Sequence, residues 1–182
     1  MFCDSDDEFK KEHIKVCYDM IRTTDSAGRK FGLASTLAYI DPILRVHPDW
    51  IPRISSTIPI TKIVRREVWE FIEGFPVNDI YKKTGCEDED FMKLVCHFFG
   101  YIQTKSEQTV EYKNYPGSFF DRQLSKFRKH PNFMEPDKDD KEKTELHRIR
   151  LQTISEKLNY LKNKLVFTEW YNRLEGIVTL YV

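Results

Sequence analysis

The hydrophobic positions along the chain alternate between two periods, one suited to helices and one to strands. Phe9, His13, Val16, Cys17, Met20 and Ile21 recur at helical spacing, and the pattern stops at Gly28. Phe31 to Ile40 reads as a strand, after which Pro42, Pro48, Pro52 and Pro59 predict a long irregular segment. Ile60 to Val64 predicts a short strand leading directly into a helix over Arg66 to Ile72, closed by Gly74 and Pro76. The run Asp88 to Phe99 places Phe91, Leu94, Val95, Phe98 and Phe99 on one side of a buried helix, with Met92 and Cys96 widening its apolar surface. Ile102 to Tyr112 alternates as a strand, and Pro116-Gly117 turns the chain into a basic amphipathic helix from Ser118 to Lys129. The segment 131–143 is dense in charge and predicts a linker or a solvated helix start. Beyond it, Leu151, Ile154, Leu158, Leu161 and Leu165 form a narrow apolar seam, suited either to packing on the chain's own domain or to a helical dimer contact.

Composition supports an ordered domain: 40% of the 182 residues are hydrophobic and 14% aromatic, enough for a core. Lys plus Arg equals Asp plus Glu at 29 each, so no global field draws the chain to nucleic acid or to an acidic membrane. Cys3, Cys17, Cys86 and Cys96 form no CxxC pair and nothing at the N-terminus resembles a signal peptide, which points to the cytoplasm. No apolar run reaches the roughly 20 residues of a membrane-spanning helix, which leaves peripheral membrane contact as the other option.

Two acidic clusters carry the candidate chemistry. In Asp4-Ser5-Asp6-Asp7, carboxylates two apart at a strand end suit a hard divalent cation; the same residues also suit the cap of a helix starting near Glu8. An EF-hand is excluded because Phe9 occupies the sixth loop position, where glycine is required. In Gly85-Cys86-Glu87-Asp88-Glu89-Asp90-Phe91, four carboxylates head an apolar helix. Like charges so close can raise one pKa, as a general base needs, or the acids can simply favour the positive end of the helix.

Taken in order, these clusters and the stretch Arg65-Arg66-Glu67-Val68-Trp69-Glu70-Phe71-Ile72-Glu73-Gly74-Phe75 between them resemble the inverting glycosyltransferases of family 2 and GT-A type. That family has a strand ending in DxD or DxDD, then arginines followed by hydrophobic residues and glycine-phenylalanine, then a GED-like segment opening the catalytic helix. Tyr112-Lys113-Asn114-Tyr115-Pro116-Gly117-Ser118 is similar to its histidine-proline-glycine-serine segment, so the likeness runs from Met1 to about Ser118.

The resemblance implies an α/β fold, the acceptor-side part of a GT-A nucleotide-diphospho-sugar transferase. A mixed sheet flanked by helices would occupy residues 1–130, with a charged linker and helical extension over 131–182. It implies sugar transfer from a nucleotide-diphosphate donor to an acceptor hydroxyl with Mn2+ or Mg2+. Asp6 would ligate the metal with Asp4 on the donor side, and Asp88 would be the general base with Glu87 beside it. Trp50, in the segment His47 to Arg53, would stack on a sugar or cover a loop. The strands that grip the nucleotide, about 90 residues at 30 per βαβ unit, would precede Met1 and are expected to be missing. Glu73-Gly74 replaces the family's usual pair of glycines, and Tyr115 a metal- or diphosphate-holding histidine. A non-catalytic module pairing through the C-terminal helix is the alternative. A phosphoryl-transfer enzyme or nuclease, using the basic helix with Arg122, Lys126, Arg128 and Lys129, fits less well, because the balanced charge and lack of an aromatic-basic stripe argue against nucleic acid.

Overall fold

A computed structural model of the chain describes residues 7–133, 141–167 and Leu174. Their contacts divide into two compact units, each assembled from separate stretches. The first holds 7–23, 34–63 and 102–133, and the second 24–33, 64–101, 141–167 and Leu174.

The first unit carries an α/β arrangement around a four-stranded sheet. The strands are β1 (Glu8–Phe9), β2 (Leu33–Tyr39), β3 (Lys62–Val64) and β4 (Tyr101–Glu111), in the order β1-β4-β2-β3. The sheet is mixed. β1 is antiparallel to β4, pairing Phe9 with Val110, whereas β2 and β4 keep one offset of 73 residues at Thr36–Thr109 and at Tyr39–Tyr112, as parallel strands do. Leu33 to Ala38 are all buried, the signature of a strand covered on both faces.

Helix α1 (His13–Ser26) starts later than its periodicity suggests, because Phe9 is taken up by β1. The expected irregular stretch after β2 contains α2 (Trp50–Thr57). Pro52 stands in its first turn, where a missing N–H costs nothing, so the prolines mark a helix start rather than a loop. Lys62 is fully buried, and its Nζ donates to the carbonyls of Ser55, at 3.1 Å, and Ile58. A cation there satisfies carbonyls at the end of α2 and complements its dipole. Helix α6 (Phe119–Phe127) closes one core against β2 and α2, built on Ala38, Ile40, Trp50, Ile54, Phe120, Leu124 and Phe127. Trp50 is only 8% exposed and donates from Nε1 to the Lys129 carbonyl at 2.9 Å, so it is a core residue and not a sugar platform.

The second unit is helical: α3 (Arg66–Ile72), α4 (Asp79–Thr84), α5 (Glu87–Phe99) and α7 (Lys141–Phe167). Its centre is aromatic, with Phe71 edge-on to Phe98 and Phe99, and Trp69 and Phe75 both against Phe91. Gly32 fits here because a Cβ would lie 2.6 Å from Phe99 Cβ. Arg65 Nη2 reaches both oxygens of Asp25, at 2.5 and 2.6 Å, which fixes the entry to α3.

Helix α7 packs within this unit: Ile154, Leu161 and Leu165 are buried, while Leu151 is half exposed. Arg150, on the same helix, forks onto Asp90. Among the described residues, no helix is long and apolar enough to cross a membrane.

Candidate functional site

The acidic head of α5 is set by two left-handed residues, Gly85 (φ 62°) and Cys86 (φ 67°), which turn the chain so that Glu87, Asp88, Glu89 and Asp90 fill the first helical turn. Only half of the cluster faces solvent chemistry. Asp90 is fully buried: Arg150 Nε and Nη2 reach its two oxygens at 2.6 and 2.5 Å, Tyr81 Oη donates at 3.0 Å and Lys93 Nζ at 3.2 Å. Burial alone would push its carboxyl up, but the Arg150 and Tyr81 bonds reverse that and hold it below the usual range. Glu89 behaves alike: burial pushes it up, and Lys93 at 2.7 Å and Arg150 at 2.9 Å bring it below its ordinary value.

The expected mutual raising of like charges therefore does not govern these two groups, because Arg150 approaches from 60 residues away. The outward members are Asp88, half-buried with Oδ1 accepting the Glu89 N–H at 2.7 Å, and Glu87, exposed. At the second position of the helix, the Asp88 carboxylate sits in the favourable field of the N-terminus.

The first unit holds an open groove of 420 Å3 at the carboxyl ends of the parallel strands β2 and β4. That end of an open α/β sheet is where ligands bind, and the volume is that of a small-molecule site. Its walls include Tyr39, Tyr112 and Tyr115, with Asp41, Glu111 and Lys113 supplying charge. Such a lining, aromatic faces with a few convergent polar groups, suits a polyhydroxylated ligand.

The turn that shapes one wall is tightly cross-braced. Ser118 caps α6 by accepting the Asp121 N–H at 3.0 Å, Asp121 accepts the Gly117 N–H at 2.8 Å, and the Ser118 N–H bonds the Tyr115 carbonyl at 3.0 Å. The Lys113 N–H then donates to Asp7 Oδ1 at 3.1 Å, which brings this turn to the acidic start of the chain. Asp7 thus serves strand and turn rather than capping a helix, and the helix begins only at His13. Asp4 and Asp6, the candidate metal and donor ligands, lie outside the described residues. Asp88 and Glu87 belong to the second unit, and the groove to the first.

Sequence patterning also missed a trio in the first unit: His47, Asp49 and His130 each offer a ligand atom within 4.8 Å of the others. The His47-Pro48-Asp49 spacing is visible in the sequence, but nothing local pairs it with His130. Its donors, two imidazoles and one carboxylate, differ from the all-carboxylate set that suits Mn2+ or Mg2+.

No protein-family model matches the chain, and neither a curated protein nor a solved structure matches it.

Proposed function

We infer that the chain is the acceptor-side part of an inverting, metal-assisted glycosyltransferase of the family 2, GT-A type, moving a sugar from a nucleotide-diphosphate donor to an acceptor hydroxyl. The observation that carries the reading is the bond from the Lys113 N–H to Asp7. It joins the 112–118 turn to the acidic start across 106 residues, beside a groove at the carboxyl ends of β2 and β4. Two further segments that carry the resemblance lend it support. β3 runs through Arg65 into α3, and the GED-like segment opens α5.

Two departures from the family pattern are accounted for locally. Glu73 adopts the left-handed conformation (φ 68°) that favours glycine, and its carboxylate is held by Lys157, by Lys164 at 2.8 Å and by Tyr160 at 2.7 Å. Tyr115, where the family often has a histidine, lines the groove as an aromatic wall.

In this reading Asp88 accepts the acceptor hydroxyl's proton as that oxygen bonds to the anomeric carbon and the carbon–oxygen bond to the diphosphate breaks, its electron pair leaving with the diphosphate. Glu87 orients the acceptor or tunes Asp88. Asp4 and Asp6 are the residues to hold Mn2+ or Mg2+, since carboxylate oxygens fit a hard cation. When bound, the metal neutralises charge on the departing diphosphate. The tyrosine walls of the groove offer stacking faces for a sugar ring. The rival reading, a pairing module, draws on the α7 seam, whose Ile154, Leu161 and Leu165 are covered within the second unit.

The test is thermal unfolding of the chain with Mn2+ and a panel of nucleoside diphosphates, since a ligand that binds only the native state raises its apparent stability. A shift with one nucleotide supports a donor site, and no shift with any removes it from these residues. Asp88→Asn is expected to abolish turnover while leaving nucleotide binding intact; normal turnover would overturn its role as base.

A further inference from the structure

The His47, Asp49 and His130 trio is built into the first unit independently of the groove and of the transferase reading. Two stretches of backbone present it, and three contacts clamp them together. The His47 N–H donates to the Phe127 carbonyl at 2.8 Å, Arg128 Nε to the Leu44 carbonyl at 2.9 Å, and Trp50 Nε1 to the Lys129 carbonyl at 2.9 Å. Trp50 and Phe127 also pack edge to face, with centroids 5.1 Å apart. Both imidazoles are therefore carried by fixed backbone, with ring centroids 4.9 Å apart and planes at 74°. Asp49 Oδ2 lies 3.1 Å from His130 Nε2 and 3.9 Å from His47 Nδ1.

We propose that His47, Asp49 and His130 bind a divalent transition-metal ion, Zn2+ being the one their chemistry fits. Imidazole nitrogen favours zinc and its neighbours over magnesium or calcium. In a tetrahedral zinc site with bonds of about 2.0–2.2 Å, ligand atoms stand about 3.4 Å apart, so one existing spacing is slightly short and another slightly long. All three ligand atoms lie within 4.8 Å of one another, and side-chain rotation that draws them together closes the set.

Two competing bonds must yield. His47 Nδ1 accepts the Asp49 N–H at 3.3 Å, and His130 Nδ1 accepts the Asn132 N–H at 3.1 Å. Ligation through His130 Nε2 moves that ring's proton to Nδ1, so its bond from Asn132 is given up while the ring stays neutral. The His47, Asp49 and His130 side chains are 33%, 57% and 34% exposed, so the position left open by three protein ligands faces solvent and takes water. A metal there would tie the loop before α2 to the end of α6.

The test uses the full chain after chelation, with Zn2+ alone as the probe. A saturable rise in Tm of about 5 °C is expected at high occupancy. Co2+ in place of Zn2+ should give visible d–d absorption without a near-ultraviolet thiolate band. His47→Gln and His130→Gln, checked for folding by circular dichroism, should each abolish both signals, as should Asp49→Asn if either histidine variant fails to fold. A Zn2+ shift that survives in the variants, no shift in the parent chain, or a thiolate band placing the metal on cysteine would each overturn the proposal.

Discussion

The two units give their buried polar groups different partners. In the first, one buried cation, Lys62, is met by backbone carbonyls, and beside it lies a chain of hydroxyls and a neutral imidazole: His13 Nδ1 meets Thr109 Oγ1 at 2.7 Å, Thr109 donates to Thr36 Oγ1 at 2.8 Å, and Thr36 donates to the Thr61 carbonyl at 3.4 Å. That direction of donation makes Nδ1 the protonated nitrogen and leaves the buried Nε2, which has no hydrogen-bond partner, as a bare lone pair; an orphaned N–H would cost more. In the second unit the buried polar pair is fully ionic, Asp90 with Arg150. The first unit meets its buried cation with neutral carbonyls, and the second meets buried charge with an opposite charge. They should therefore fail by different routes, the first when a proton arrives and the second when a partner is removed.

The largest effect is expected from breaking the ionic pair. Asp90→Leu leaves the Arg150 guanidinium buried without its forked acceptor, and removal of one partner from such a pair costs about 3–5 kcal/mol. The double variant Asp90→Leu with Arg150→Met should recover most of that loss, because two apolar side chains of similar size carry no uncompensated charge. Urea unfolding of the two single variants and the double variant measures this. Additive losses would mean that Arg150 holds α7 through other contacts.

Next is the acid response of the first unit. Burial pushes the His13 imidazole down from 6.5 to about 4. The folded state resists a proton that the unfolded chain accepts, so His13 costs nothing above pH 6.5, and stability falls as pH drops from 6.5 towards 4. The full difference is about 3 kcal/mol. His13→Gln can keep a bond to Thr109 without titrating, and should flatten that limb in stability measured between pH 7 and 4. An unchanged slope would assign the loss to other groups.

What the sequence disclosed divides along the same line as these chemistries. Elements whose evidence is local were readable: β2, α3, α5, β4 and α6 fall within a few residues of where periodicity and turn residues put them. So was the acidic head of α5. Elements that depend on distant partners were not. Phe9 fits the helical pattern but is claimed by pairing with Val110, and α2 was hidden by a proline that is harmless in a first turn. The fate of Glu89 and Asp90 depended on Arg150, and His47 had no local sign of His130. Periodicity reports which face of an element is apolar; it carries no record of which buried charge meets which.

The smallest expected effect separates backbone from charge at Glu73. Burial pushes its carboxyl up, but the Lys157, Lys164 and Tyr160 bonds outweigh this and hold it at about 2, against an ordinary 4.5. These bonds contribute fully above pH 4.5 and are lost as pH falls towards 2, mostly below the window in which His13 acts. Because the side chain is 40% exposed, solvent screening limits the contribution to about 1 kcal/mol. The residue also occupies a left-handed position that costs a non-glycine about 1–2 kcal/mol. Glu73→Gln should therefore lose about 1 kcal/mol at pH 7 with no relief of the backbone, whereas Glu73→Gly should come out near neutral, the conformational gain offsetting the lost bonds. Thermal unfolding of both at pH 7 and pH 3 decides it: if the glycine variant is the less stable of the two at pH 7, the ionic contacts outweigh the turn, and the second unit depends on charge even at its surface.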